Sequence, residues 1–146
     1  MIQKDFFTRM LAQLRTISAF GVNVWVATHI PVIASIPQQV SPSAFLLDGG
    51  YENHGEHPNI IIQNFSIAYF LENVQSEYGS SAVVGSNGAL GICEIDALIA
   101  RNVIETVSLT EKIIIVEKGV MQGSEVSGNH PLVQRQHNYY AILQAF

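Results

Sequence analysis

Between residues 60 and 71 the chain reads IIIQNFSIAYFL, with Ile61, Phe65, Ile67, Tyr69 and Leu71 on one parity and Asn64, Ser66 and Ala68 on the other. Successive side chains of a strand point to opposite faces of a sheet, so this alternation predicts a long strand with one buried side. Such a strand needs partners. Residues 44–47 form a short apolar run that ends in Asp48-Gly49-Gly50, a turn signal, and residues 51–59 (YENHGEHPN) are polar and loop-like. The two runs are expected to pair as a long antiparallel hairpin with an extended tip over residues 48–58.

The remaining segments fall around that hairpin. Ile2, Phe6, Phe7, Met10, Leu11, Leu14 and Ile17 recur at helical spacing, which predicts an amphipathic helix over 2–18 with Gly21 placed to end it. Residues 22–29 are β-branched and aromatic and read as a strand, and Pro31, Pro37 and Pro42 then exclude helix interior or central strand. Residues 72–91 form a Ser-, Gly- and Asn-rich connection. Ile92, Ile95, Leu98, Ile99 and Val103 mark a second helix, with Glu94 and Asp96 in a first turn where the helix dipole favours carboxylates. Residues 112–118 (KIIIVEK) are a strand, 121–131 a loop, and 132–142 a last strand. That strand sets Gln134, Gln136 and Asn138 on one face and Arg135, His137 and Tyr139 on the other. The order α-β-β-β-α-β-β predicts an α+β fold, a single domain over 1–146. It has one mixed, mainly antiparallel sheet of about five strands with two helices packed on it.

Composition narrows the function. With 48% apolar and 13% charged residues in 146 positions, the chain can bury a core, and disorder is excluded. Soluble domains carry about 25% charged residues. Interface cores are depleted in charge, so the deficit here suggests that other subunits cover part of the surface; a monomer with a neutral surface is the alternative. Seven Lys and Arg in total assemble no basic patch for phosphates. The lone Cys93 is expected to be a buried small hydrophobe. No signal-peptide core follows Met1, and the apolar stretch 22–36 is interrupted and too short to span a bilayer; no membrane association is expected.

No constellation commits to catalysis. Asp48, Glu52, His54, Glu56 and His57 are chemically competent metal ligands, but their spacing matches no template and three glycines loosen the segment. With Tyr51 they are expected instead to form an interaction element. Gly85, Gly88 and Gly91 make a GxxGxxG before a helix, yet no strand–helix pair precedes it as a dinucleotide site requires. There is no GxSxG and no ordered Ser, His and acid set. Neither a catalytic residue nor a cofactor is expected. Gln134, Gln136 and Asn138 form an amide face that is either solvated or in contact with a neighbouring subunit, where amides hydrogen-bond without the desolvation cost of full charges.

The opening helix, the strand "PSAFLLDGG", the polar loop, the alternating strand, the single middle helix, the Ile-rich strand and the closing "RQHNYYAIL" follow one another over nearly the whole chain. In this order and size the protein resembles the tail terminator proteins of long-tailed bacteriophages. The resemblance rests on pattern, with no invariant motif. It implies a structural virion protein at the head–tail junction, assembled in the host cytoplasm. There a homo-oligomeric ring, commonly a hexamer, caps the tail tube, stops its polymerisation and offers a surface to the head-side connector. In contractile phages the ring also meets the sheath, and DNA passes its lumen without specific binding. Another neck or tail tube protein of the same particle is the nearest alternative, and a small metal- or nucleotide-binding enzyme a more distant one.

Overall fold

A computed structural model describes residues 2–29, 42–72, 75–76, 79–80, 83, 85, 90–127 and 130–144. Helix α1 (Gln3–Leu14) is followed by strands β1 (Val24–Ala27), β2 (Ser43–Asn53) and β3 (Ile60–Glu72). Helix α2 (Ile92–Leu98) runs through π-helical Ile99–Glu105 into α3 (Thr106–Glu111) as one rod. Strands β4 (Ile114–Ser127) and β5 (His130–Gln144) close the chain. The sheet has the order β1-β2-β3-β5-β4, with β1 parallel to β2 and every other pair antiparallel. This is the mixed five-stranded α+β arrangement that the order of elements predicts. A two-residue ladder, Gln75–Ser76 with Gly79–Ser80, lies within the connection. The proline-punctuated segment falls in 30–41, outside the described residues except for Pro42.

Both helices lie on the same face of the sheet, because each offers one apolar stripe. Phe6, Met10 and Leu14 recur every fourth residue of α1 and are buried, with the ring of Phe6 edge-on to Phe65 of β3 at 5.1 Å. Ile92, Ile95, Ile99, Val103 and Val107 do the same for the middle rod. Beneath them lie Ala44, Leu46, Phe65, Ile67, Tyr69, Val133, Tyr139, Ala141 and Leu143 in one continuous core. The rod ends where Lys112 takes a left-handed conformation, φ 54°, and the Ser108 hydroxyl donates to the Ile113 carbonyl at 2.7 Å.

Four local expectations are corrected. First, α1 ends at Leu14; a run of tight turns carries Ile17 and Phe20 into the core, and Gly21 at φ 55° closes that run. Second, Asp48-Gly49-Gly50 is a bulge inside β2, and pairing continues to Asn53 opposite Ile61. The Asp48 carboxylate accepts the Gly50 N–H at 2.9 Å, Gly50 takes φ 83°, and a Cβ at Gly49 would press on the Asn64 backbone at 3.2 Å. The turn chemistry is real, but it is spent within a ladder, so Tyr51 and Glu52 belong to a strand and the loop shrinks to residues 54–59.

Third, residues 121–127 are strand, paired through Ser127 opposite His130. Val120, Met121, Gln122 and Gly123 are exposed on an edge strand, and a strand that buries neither face carries no alternation to read. Fourth, Cys93 is exposed, since it stands one residue off the stripe formed by Ile92, Ile95 and Ile99.

Candidate functional site

The face of the sheet turned away from the helices has two parts. Toward β1 it is apolar: Phe45, Leu47, Ala68 and Phe70 are buried, and the half-exposed Trp25 stacks on Phe45 at 5.3 Å. Toward β5 it is polar, and the predicted amide row lies here. Gln134, Gln136 and Asn138 are all half-buried on this side, opposite Phe70, Ala68 and Ser66 of β3. Gln136 Nε2 donates to Asn138 Oδ1 at 2.9 Å, and the Ser66 hydroxyl donates to the same oxygen at 2.7 Å.

Beside this row an open groove of about 380 Å³ is lined by Gly49, Asn64, Ser66, Lys118, Asn138 and Tyr139. The two bulges build it. One places glycine against Asn64. The other inserts Lys118 between Glu117, which pairs with Tyr139, and Gly119, which pairs with Asn138. Released from the ladder, Lys118 donates from Nζ to Asn64 Oδ1 at 2.9 Å.

The other predicted residues lie at the β2–β3 end. Tyr51 and Glu52 are exposed on β2, whereas His54, Glu56 and His57 occupy the loop. That loop is ordered by its own bonds: His57 N–H to His54 carbonyl at 3.2 Å, Ile60 N–H to His57 carbonyl at 2.9 Å and Glu56 N–H to His54 Nδ1 at 3.3 Å. The His54 and His57 rings lie 5.0 Å apart. Asp48 does not join this group. Its carboxylate turns to the bulge, where the buried Gln63 amide nitrogen lies 2.9 Å from both Asp48 Oδ1 and the Gly50 carbonyl. Gln3 of α1 donates to the Gln63 oxygen at 2.6 Å, tying helix to bulge.

A third group escapes the sequence reading. Asp96 does not sit at the helix start as a dipole-facing carboxylate; one helical turn after Ile92, it points onto β5. Arg135 grips its Oδ2 in a fork, with Nε at 3.1 Å and a terminal nitrogen at 2.7 Å, and His137 Nε2 meets its Oδ1 at 2.8 Å. The Tyr69 hydroxyl donates to the same Oδ1. His137 Nδ1 reaches Glu117 of β4 at 3.3 Å, and Arg135 donates to Gln122 at 2.8 Å. Helix, two central strands and the edge strand are thereby joined through one carboxylate. The only clue in the sequence is parity, which puts Arg135 and His137 on the buried side of β5 and obliges them to find a partner.

The electrostatics follow from this packing. Burial opposes the Asp96 charge, but hydrogen bonds from His137 and Tyr69, the His137 charge and Arg135 hold its carboxyl below the usual range. Burial likewise opposes protonation of His137, yet Asp96 and then Glu117 raise it above an ordinary imidazole. Burial, followed by Asp96, raises Tyr69; burial, followed by Glu117 and Asp96, raises Tyr139. Both imidazole nitrogens meet carboxylates, and when protonated His137 donates to each of them. Among the described residues no group of three or more His, Cys, Asp or Glu converges as a metal site, and no helix is long and apolar enough to cross a membrane.

Among the described residues, the fold and these surfaces define an α+β domain with helices on one face of its sheet and an amide-lined groove on the other. Comparison with protein-family models finds no match, and comparison with curated proteins finds none either.

Proposed function

We infer that this chain is a structural assembly protein, the tail terminator subunit of a long-tailed bacteriophage. It works as a homo-oligomeric ring, a hexamer in the family it resembles, that ends the tail tube and receives the head-side connector. The observation that carries the reading is the surface on the sheet face away from the helices. Among the described residues the helices lie on one face of the sheet, and the opposite face, beside the buried Phe45, Leu47, Ala68 and Phe70, offers a half-exposed Trp25 and a half-buried amide row to a neighbouring subunit. The 13% charged content agrees with a subunit that has lateral, tube-side and head-side contacts. A formal charge of −5 suits a lumen through which DNA slides without sticking. Sheath contact belongs to the same reading if the tail is contractile.

Another neck or tube protein of the same particle would use the same surfaces, and the position in the particle separates the two. The enzyme reading has less support, because each nitrogen of His137 is already engaged by a carboxylate and neither is free to act as a base.

Native mass spectrometry of the full chain at high concentration, with imaging of assembled particles, tests the proposal. Closed rings of one copy number, located at the head-side end of the tail, are expected. A chain that is monomeric in solution and absent from that end overturns it.

A further inference from the structure

The groove on the sheet face away from the described helices has a definite chemical polarity. Asn64 Oδ1 accepts from Lys118 Nζ, and Asn138 Oδ1 accepts from Ser66 and Gln136, so both amide oxygens are already engaged. The amide nitrogens of Asn64 and Asn138 have no partner among the described residues, and Lys118 keeps two further N–H groups. Two carboxamide NH2 groups and an ammonium lining one opening form a site for an acceptor, and a carboxylate matches it in both charge and hydrogen bonding.

The β2–β3 loop presents such a group. Glu56 is exposed between His54 and His57, in a turn closed by main-chain bonds, with Glu52 exposed on the strand that leads to it. A carboxylate held on an ordered turn loses little conformational freedom when it docks. It cannot reach the groove of its own chain: Asn64 is four residues along β3 from Ile60, roughly 13 Å, and the turn's own bonds keep it from folding back.

The geometry points to a contact between copies of this chain, in which the Glu56 loop of one subunit enters the Asn64–Lys118–Asn138 groove of the next. Groove and loop are different surfaces, so the contact is head-to-tail, the kind that closes into rings. The inference rests on the ring reading above and names its lateral contact.

Charge reversal in the full chain tests it. Lys118→Glu and Glu56→Lys should each raise the concentration for half-assembly about tenfold, and the double variant should restore most of the loss. Lys118 and Glu56 are both exposed, so the melting temperature of the monomer should not move. A zero-length carbodiimide cross-link in a mixture of isotopically heavy and light chains should join Lys118 of one copy to Glu56 of another. Rings that form normally in both single variants, or a double variant no better than either, overturn this contact and leave the ring reading standing. If Lys118→Glu leaves the ring intact but blocks attachment to the tube or the head-side connector, the groove serves that other partner and the contact between copies is overturned. A wild-type chain that never assembles overturns both.

Discussion

His137 Nε2 lies 2.8 Å from Asp96 Oδ1 and thereby fastens the centre of β5 to the middle helix. Arg135, two residues earlier on the same strand face, closes a fork on the other oxygen of that carboxylate. The arrangement turns a parity that would place two cationic side chains under a helix into a point of attachment. Their partner comes from a helix that enters the sequence more than forty residues earlier.

Asp96→Ala should therefore cost more than the loss of one surface ion pair. It strands Arg135, His137 and the Tyr69 hydroxyl, of which His137 is only 6% exposed. Breaking a pair of this kind from one side is expected to cost about 3 kcal/mol, which for a chain of this size lowers Tm by roughly 10 °C. Thermal denaturation followed by circular dichroism measures it. A change within about 0.5 kcal/mol, as for an ordinary surface site, would show that the network contributes nothing to stability.

The same cluster makes stability depend on pH in two directions. His137 is raised above its unfolded value, so its contribution is complete below about pH 6.5 and fades as pH rises through the folded pKa. Asp96 is lowered, so its contribution is complete above the ordinary carboxylate range and fades as pH falls through its folded pKa. The groups that face this pair are Tyr69 from β3, Glu117 from β4, and Arg135 and Tyr139 from β5. Urea unfolding at stepped pH should give a maximum between about pH 5 and 6.5. In His137→Gln the decline on the alkaline side of that maximum should flatten.

Gly91→Ala should destabilise the start of α2. An added Cβ would lie 2.6 Å from the Val83 carbonyl oxygen and 2.9 Å from the Gly85 nitrogen, both main-chain atoms that cannot swing aside. A loss of about 2 kcal/mol is expected in chemical denaturation. Gly50→Ala is also expected to destabilise, by about 1 kcal/mol, for a different reason: it has space, but its φ of 83° is strained for any side chain.

Gln136→Glu should act on assembly. The substitution removes the donor that holds Asn138 Oδ1 and sets a carboxylate beside the groove. Half-assembly should require about tenfold more protein, with the monomer's Tm nearly unchanged because the side chain is only half-buried. An unaltered ring would remove this face from the subunit contact.

Replacing residues 54–60 by Asn-Gly should keep the fold and abolish assembly. Asn53 opposite Ile61 ends the ladder, and a two-residue turn suits that hairpin. Sheet content by circular dichroism should hold while rings are lost. Rings of normal stability in this variant would reduce the loop to a connector.

What the sequence by itself determined is whatever depends on periodicity. Alternation over β3 and over residues 132–142 of β5 fixes which side chains face the helices, and the fourfold spacing of Phe6, Met10 and Leu14 or of Ile95, Ile99 and Val103 fixes which helix face meets them. The order of elements and the mixed sheet follow from that. What only the tertiary structure decided lies where local chemistry has two uses. Asp48-Gly49-Gly50 makes a turn or a bulge with the same residues, and in the fold it is a bulge whose Asp48 carboxylate and Gly50 carbonyl accept from Gln63 of the facing strand. Val120, Met121, Gln122 and Gly123 of the edge strand β4 are all exposed, so no alternation marks this stretch in the sequence, and the strand is extended by its pairing with β5. Asp96, His137 and Glu117 are separated by twenty residues or more, and the groove draws Asn64, Lys118 and Asn138 from three strands. Hydrogen bonds and ion pairs act over a few ångströms of space, and sequence spacing across separate elements carries no record of that distance.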